Sequence, residues 1–199
     1  MDPSIDMVGL AVLPPAINKQ NPCQTPASGT KNYGYDAWWP NWIKGPGKTP
    51  PTPSLYAIAS MQFNYLVQSQ GTWILNPSSN LVQMLGCVHG AGSTAYVDAI
   101  DEAQHELVTN GRGNVQNVMI FLSDGAANEV PAQYPSYMDT AYYKQHPCQA
   151  GIRAAQNAKD NGTIVFAIGY DLNGMGTDPE QCLDSNGNKD SITSFDAIT

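Results

Sequence analysis

Five consecutive apolar residues, Val-Met-Ile-Phe-Leu at 118–122, are closed by Ser123-Asp124-Gly125. Large and β-branched residues in unbroken succession, ended by turn formers, predict a strand buried on both faces rather than one that alternates. Residues 7–13 (Met-Val-Gly-Leu-Ala-Val-Leu) predict a second strand, stopped by Pro14-Pro15 because proline cannot continue a sheet ladder. Residues 55–67 carry Tyr56, Ile58, Met61, Phe63 and Tyr65 in partial alternation and read as one strand at or near an edge. Residues 81–87 suit a short helix. Over 96–108 a helical period is clear: Tyr96, Ile100, Ala103 and Leu107 recur on one side while Asp98, Asp101 and Glu102 face elsewhere. The early acids complement the positive start of that helix. Asn110-Gly111 ends it with residue types that tolerate positive φ.

An alanine-rich stretch at 148–159, closed by Asn161-Gly162, predicts another helix, and residues 163–170 another apolar strand. A strand-helix-strand crossover returns the chain in its original direction, so the strand at 118–122 is expected to run parallel to the first. The alternation as a whole predicts a mainly parallel α/β sheet. Beyond Tyr170 the chain turns polar, and 191–199 reads as the beginning of a helix cut short. There are no internal repeats. Between the first two strands, residues 16–53 are rich in Pro, Gly, Asn and Lys and carry Tyr33, Tyr35, Trp38, Trp39 and Trp42. So long an insertion is commonly functional or disordered. Its rings suit stacking on a sugar or a partner protein, but a small satellite core beside Cys23 is the favoured reading, because aromatic rings bury much area.

Composition narrows the function classes. At 199 residues the chain suits a single domain, taken as 1–199, with 171–199 as a polar C-terminal segment. A 42% hydrophobic content argues against disorder. A formal charge of −8 with nine Lys plus Arg leaves no basic stripe for a nucleic-acid backbone. No apolar run approaches the roughly 20 residues of a membrane span. Four cysteines, Cys23, Cys87, Cys148 and Cys182, are widely spaced and form no C-x-x-C pair, which suits two disulfides better than zinc and points to an extracytoplasmic setting. The preferred pairing is Cys23 with Cys87 and Cys148 with Cys182; buried free thiols are the alternative. The opening Met1-Asp2-Pro3-Ser4 lacks the features of a signal peptide.

The candidate chemistry sits after the central strand. Asp124 is a hard oxygen ligand at a strand's carboxyl end, where the loops of an open α/β sheet leave a crevice, and Gly125 allows close approach. Residues 118–128 resemble the fourth strand and metal loop of a von Willebrand factor type A (VWA) domain, through Asp124, Gly125 and Asn128. Gly92-Ser93-Thr94 ahead of the helix resembles that family's G-G-T loop, with Thr94 as the metal-binding hydroxyl. Residues 151–170 resemble its helix, turn and fifth strand, and 7–13 its second strand. The resemblance is nearest to bacterial VWA proteins associated with tight-adherence (Tad) pilus assembly. It implies a three-layer α/β/α sandwich and a non-catalytic surface or envelope module, with Mg²⁺ or Mn²⁺ at a metal-ion-dependent adhesion site. There Asp124 and Thr94 are the ligands, with Ser123, Gly125, Asn128, Gly92 and Ser93 as support. It also implies a protein partner that presents an acidic side chain to the metal, and an anchor outside this segment.

The family's first strand ends in D-x-S-x-S, which supplies the other protein ligands. Asp2-Pro3-Ser4-Ile5-Asp6 matches it only superficially, since no apolar strand precedes it. The expectation is therefore a chain that begins after the first strand and helix, with half a ligand set and weak or absent metal binding. Two other classes compete: a structural envelope component that never uses metal, and a hydrolase built on Ser93. The latter lacks a G-x-S-x-G elbow, and His89, His105 and His146 show no partnering pattern. Asp184, Asn186, Asn188 and Asp190 alternate like the start of a calcium loop, yet Gly187 is misplaced and the later glutamate is missing, so a polar turn is expected. Asn161-Gly162-Thr163 is a formal glycosylation sequon in a helix-to-strand turn.

Overall fold

The computed structural model describes residues 6–13, 57–85, 94–128, 134–170, 181–184 and 186–198. Gly92, Ser93, Cys23, Cys87, the insertion at 16–53 and Asp2 lie outside the described residues. The elements are β1 (Val8–Ala11), β2 (Ala57–Gln62), β3 (Leu66–Ser69), β4 (Thr72–Leu75), α1 (Asn80–Leu85), α2 (Tyr96–Thr109), β5 (Val118–Ser123), α3 (Thr140–Tyr143), α4 (Pro147–Asp160), β6 (Ile164–Gly169), β7 (Gln181–Leu183), β8 (Lys189–Thr193) and α5 (Ser194–Ile198).

The two long helices pack on each other and on one face of β5 and β6. Cys148, Ala150, Gly151, Ala154 and Ala158 form the buried stripe of α4, and Tyr96, Val97, Ile100 and Gln104 that of α2. Alanine and glycine let the helix axes approach closely. At Gly151 the approach is so tight that a Cβ would lie 2.7 Å from Cβ and Cδ2 of Tyr96. Met119 of β5 is buried beneath the helices, with Phe121 and Val165 partly buried against the same cluster.

The fold is mixed α/β, but the described strands form four two-stranded pairs rather than one mainly parallel sheet. Only β5 and β6 are parallel, in register from Val118↔Ile164 to Ser123↔Gly169. β1 pairs antiparallel with β2, so the expectation that 118–122 pairs in a parallel sheet holds only toward the strand that follows it. The reason is connectivity. Helix α4 provides the long crossover that a parallel pair requires, whereas short turns between β3 and β4 and between β7 and β8 permit only antiparallel return.

The stretch 55–67 is likewise two strands. A turn at Phe63–Tyr65 separates β2 from β3, and Asn76 clamps it by donating from its side chain to the Asn64 carbonyl at 2.8 Å and from its backbone to the Tyr65 carbonyl at 2.9 Å. β3 then turns into β4 through Gln70 and Gly71, both at positive φ, the geometry that matches strand twist in a two-residue hairpin. Residues 191–193 belong to β8, and the helix starts only at Ser194. There Thr193 and Asp196 cap reciprocally, Asp196 accepting from the Thr193 backbone at 2.9 Å and Thr193 Oγ1 accepting from the Asp196 backbone at 3.2 Å.

The prediction that 118–122 is buried on both faces is also corrected. β5 alternates, with Met119 and Ser123 inside and Val118, Ile120 and Leu122 outside. Ile164, Phe166 and Ile168 of β6 continue the same outer face, where Ile120 is 67% and Phe166 57% exposed. Both helices lie on the other side. The end of α2 differs too: Asn110 is right-handed and Gly111 is not among the positive-φ glycines. Glycine is required there for proximity, since a Cβ would fall 2.1 Å from the Leu107 carbonyl oxygen. Asn161-Gly162 does end α4 with Gly162 at φ 85°. Among the described residues no helix is long and apolar enough to cross a membrane.

Candidate functional site

The loop leaving β5 meets the segment leading into α2 through a pair of reciprocal hydrogen bonds. The Thr94 backbone N–H donates to Asn128 Oδ1 at 2.7 Å, and the Asn128 backbone N–H donates to the Thr94 carbonyl at 3.1 Å. Ala95 donates to the Leu13 carbonyl at 3.2 Å, so the end of the β1 segment joins the same rim. Asn128 thus ties the two loops together from a position four residues beyond Asp124. The Asp124 carboxylate is exposed, and neither it nor the Thr94 hydroxyl makes a hydrogen bond among the described residues. Ser123 is buried; its hydroxyl donates to the Gly125 carbonyl at 3.1 Å and the Gly125 N–H reaches back to Ser123 Oγ at 3.4 Å, folding the turn on itself. A carboxylate and a hydroxyl are hard oxygen donors and fit a hydrated Mg²⁺ or Mn²⁺ as a minority of its six positions, leaving the rest to water. Among the described residues no group of three or more His, Cys, Asp or Glu is arranged to hold a metal.

Beneath this rim lies a group the periodicity of α2 did not reveal. Tyr96 is 1% exposed, and its hydroxyl donates to the Gly125 carbonyl while lying 3.1 Å from Ser123 Oγ. Read as one more apolar position, it supplies a buried polar tip. A tyrosine on a core stripe beside a turn-bearing strand is the signal that could have found it, because a buried phenol needs a partner.

Cys148 and Cys182 form a disulfide and are both fully buried. Cys148 Sγ lies 3.8 Å from the Ala127 carbonyl, directly under the rim loop. Farther along, Asp190 is held by His146 Nδ1 at 3.0 Å and Gln149 Nε2 at 3.2 Å, fastening β8 to the start of α4. The alternating stretch from Asp184 leads from β7 into β8, to which Asp190 belongs. Asp184 accepts from the backbones of Asn186 and Asn188 at 2.9 and 2.8 Å, and these hydrogen bonds, the Asn188 backbone's foremost, hold its carboxyl below the usual range. His105 is exposed on α2.

Asp101 was expected to face away from the packed side of α2, but it is partly buried and accepts from the Tyr137 hydroxyl at 2.5 Å. Burial pushes its carboxyl up to about 6, against the Tyr137 hydrogen bond, with Glu102 adding repulsion. Burial also pushes the Tyr137 phenol well upward and, with Asp98 adding repulsion, the Tyr134 phenol up to about 12. Arg153 stands over the Tyr137 ring at 5.5 Å. An acid raised by folding binds more protons in the folded chain than in the unfolded one, where it titrates at 3.8. Its contribution is therefore most favourable below 3.8 and is lost as pH rises through about 6. Asp101→Asn is expected to raise stability by about 1–2 kcal/mol at pH 7.5 and to leave it unchanged at pH 3.5, as read by urea unfolding at both values. An equal effect at the two pH values would show that the charge is not responsible.

No protein-family model, curated protein or solved structure matches this chain.

Proposed function

We propose that the chain is a non-catalytic protein-binding module of VWA type that works at a bacterial surface or in pilus assembly, with Asp124 and Thr94 as half of a divalent-cation site. The observation that carries this reading is the reciprocal Thr94–Asn128 pair, which brings two sequence-distant loops to the rim where β5 ends and leaves both candidate ligands uncommitted among the described residues. The partner presents an acidic side chain to Mg²⁺ or Mn²⁺ there. The fold that goes with the reading is a three-layer α/β/α sandwich whose first strand and helix have no counterpart among the described residues. Its support is the outer face of β5 and β6, whose exposed Val118, Ile120, Leu122, Ile164, Phe166 and Ile168 have the composition of parallel strands covered on both sides. An extracytoplasmic setting is supported by the Cys148–Cys182 disulfide.

With one carboxylate and one hydroxyl, the 199-residue chain is expected to bind cation weakly, with dissociation constants on the order of millimolar. Substoichiometric Mn²⁺ is then expected to broaden the amide signals of Thr94, Asp124, Gly125 and Asn128 selectively, an effect abolished by Asp124→Ala. Broadening spread evenly over the surface acids would sink the metal rim. Micromolar binding by isothermal titration, lost in Asp124→Ala, would instead overturn the half-set of ligands. A metal-independent structural role is the second reading, favoured by the lack of a three-ligand acidic or histidine cluster among the described residues. Partner binding that survives EDTA would select it.

A further inference from the structure

We infer that the Tyr96 hydroxyl is the positioning group of the rim: it fixes the turn that aims Asp124 outward. Asp124 has no hydrogen bond of its own among the described residues, so its direction is set by its neighbours Ser123 and Gly125. Tyr96 reaches both of them, with its hydroxyl donating to the Gly125 carbonyl and lying 3.1 Å from Ser123 Oγ. The ring that carries this hydroxyl is itself immobilised. Phe121 meets it edge-on at 4.8 Å between centroids, and the bare Cα of Gly151 on α4 leaves no room for movement on that flank. Ser123 is further anchored because its carbonyl accepts from the Tyr170 backbone at 2.9 Å, and Asn128 fixes the far end of the loop to Thr94.

The parts form a continuous strut running from α4 through Gly151 and Tyr96 to the turn at 123–125. A buried hydroxyl bridging two points of a turn restricts it more than the ring's packing does, since hydrogen bonds are directional. The purpose of the strut rests on the cation-rim reading, whereas its geometry does not, and two measurements keep them separable.

Tyr96→Phe keeps the ring in the core and removes only the hydroxyl. Amide hydrogen exchange on the full 199-residue chain is expected to accelerate about tenfold at Gly125, Ala126 and Ala127, with exchange in α2 and α4 unchanged. In the same variant, Mn²⁺ broadening at Thr94 relative to Gly125 is expected to fall at least threefold. Exchange that is unaltered at the turn, or that rises uniformly through both helices, overturns the positioning role. Loop-confined acceleration in a chain whose wild type shows no Mn²⁺ broadening keeps that role and removes the cation reading alone. Broadening equal in Tyr96→Phe and wild type, with the turn loosened, shows that the hydroxyl does not position Asp124 and also overturns the inference.

Discussion

Reduction of the Cys148–Cys182 disulfide, or its replacement by the Cys148→Ala/Cys182→Ala pair, is expected to cost roughly 3–4 kcal/mol. The bond closes a span of 34 residues, and a loop of that size removes about this much conformational freedom from the unfolded chain. The folded side adds to the loss. A two-stranded hairpin has little stability alone, and without the bond β7 and β8 are left attached to α4 by His146, Gln149, the bonds of Asp190 and Ser191 and the packing of Ile192 and Ala197 on the core. The melting midpoint should therefore fall by roughly 10 °C, and limited proteolysis should cut first within residues 181–198. Urea midpoints that coincide with and without reductant would show that the hairpin is held by its polar contacts and the packing of Ile192 and Ala197 instead. Cys148 also lies under Ala127, so the reduced chain should show faster amide exchange at Ala127 and Asn128 before the helices loosen.

Gly151→Ala is the second large effect, and its sign is diagnostic. Helix propensity alone would make alanine about 1 kcal/mol better than glycine in the interior of α4. Packing opposes it, because the new methyl would stand 2.7 Å from Cβ of Tyr96, an atom that moves only if α2 moves. A net loss of about 1–3 kcal/mol is expected in urea unfolding, with Gly113→Ala as a control, since a Cβ there meets nothing within 4 Å. Stabilisation by Gly151→Ala would mean that the two helices are not in such close contact. The same substitution pushes on the ring that carries the rim turn, so its effect should extend to Gly125, whose carbonyl accepts from the Tyr96 hydroxyl.

One part of the candidate site was legible because its signal is local. Asp124 and Gly125 closing a run of apolar residues mark a strand's end wherever the strand is placed, whereas Thr94 was singled out only by the resemblance of residues 92–94 to a metal loop. That Asn128 would join the two was not legible, since nothing in the spacing of 94 and 128 states that they touch; the family resemblance marked Asn128 only as support for its own loop. Tyr96 and Asp101 were read by periodicity alone, which sorts positions by face but not by partner. The hydroxyl of the first and the carboxyl of the second acquired their roles from residues far along the chain, at Gly125 and Tyr137. The β3–β4 hairpin escaped because Gln70 in a left-handed conformation carries no compositional mark, unlike the asparagine or aspartate usual there.

By itself the sequence determined the kind and approximate extent of α2, α4, β5 and β6, because apolar period and chain-breaking residues act over a few neighbouring positions. Only the tertiary structure decided which strands pair, which side of β5 is covered, and that Gly111 serves proximity rather than positive φ. Those outcomes depend on two helices choosing one face of a strand pair, a global packing event that no window of sequence contains. It is also this packing that brings Cys148 to Cys182, presses Gly151 against Tyr96, and carries the Tyr96 hydroxyl to the turn beside Asp124.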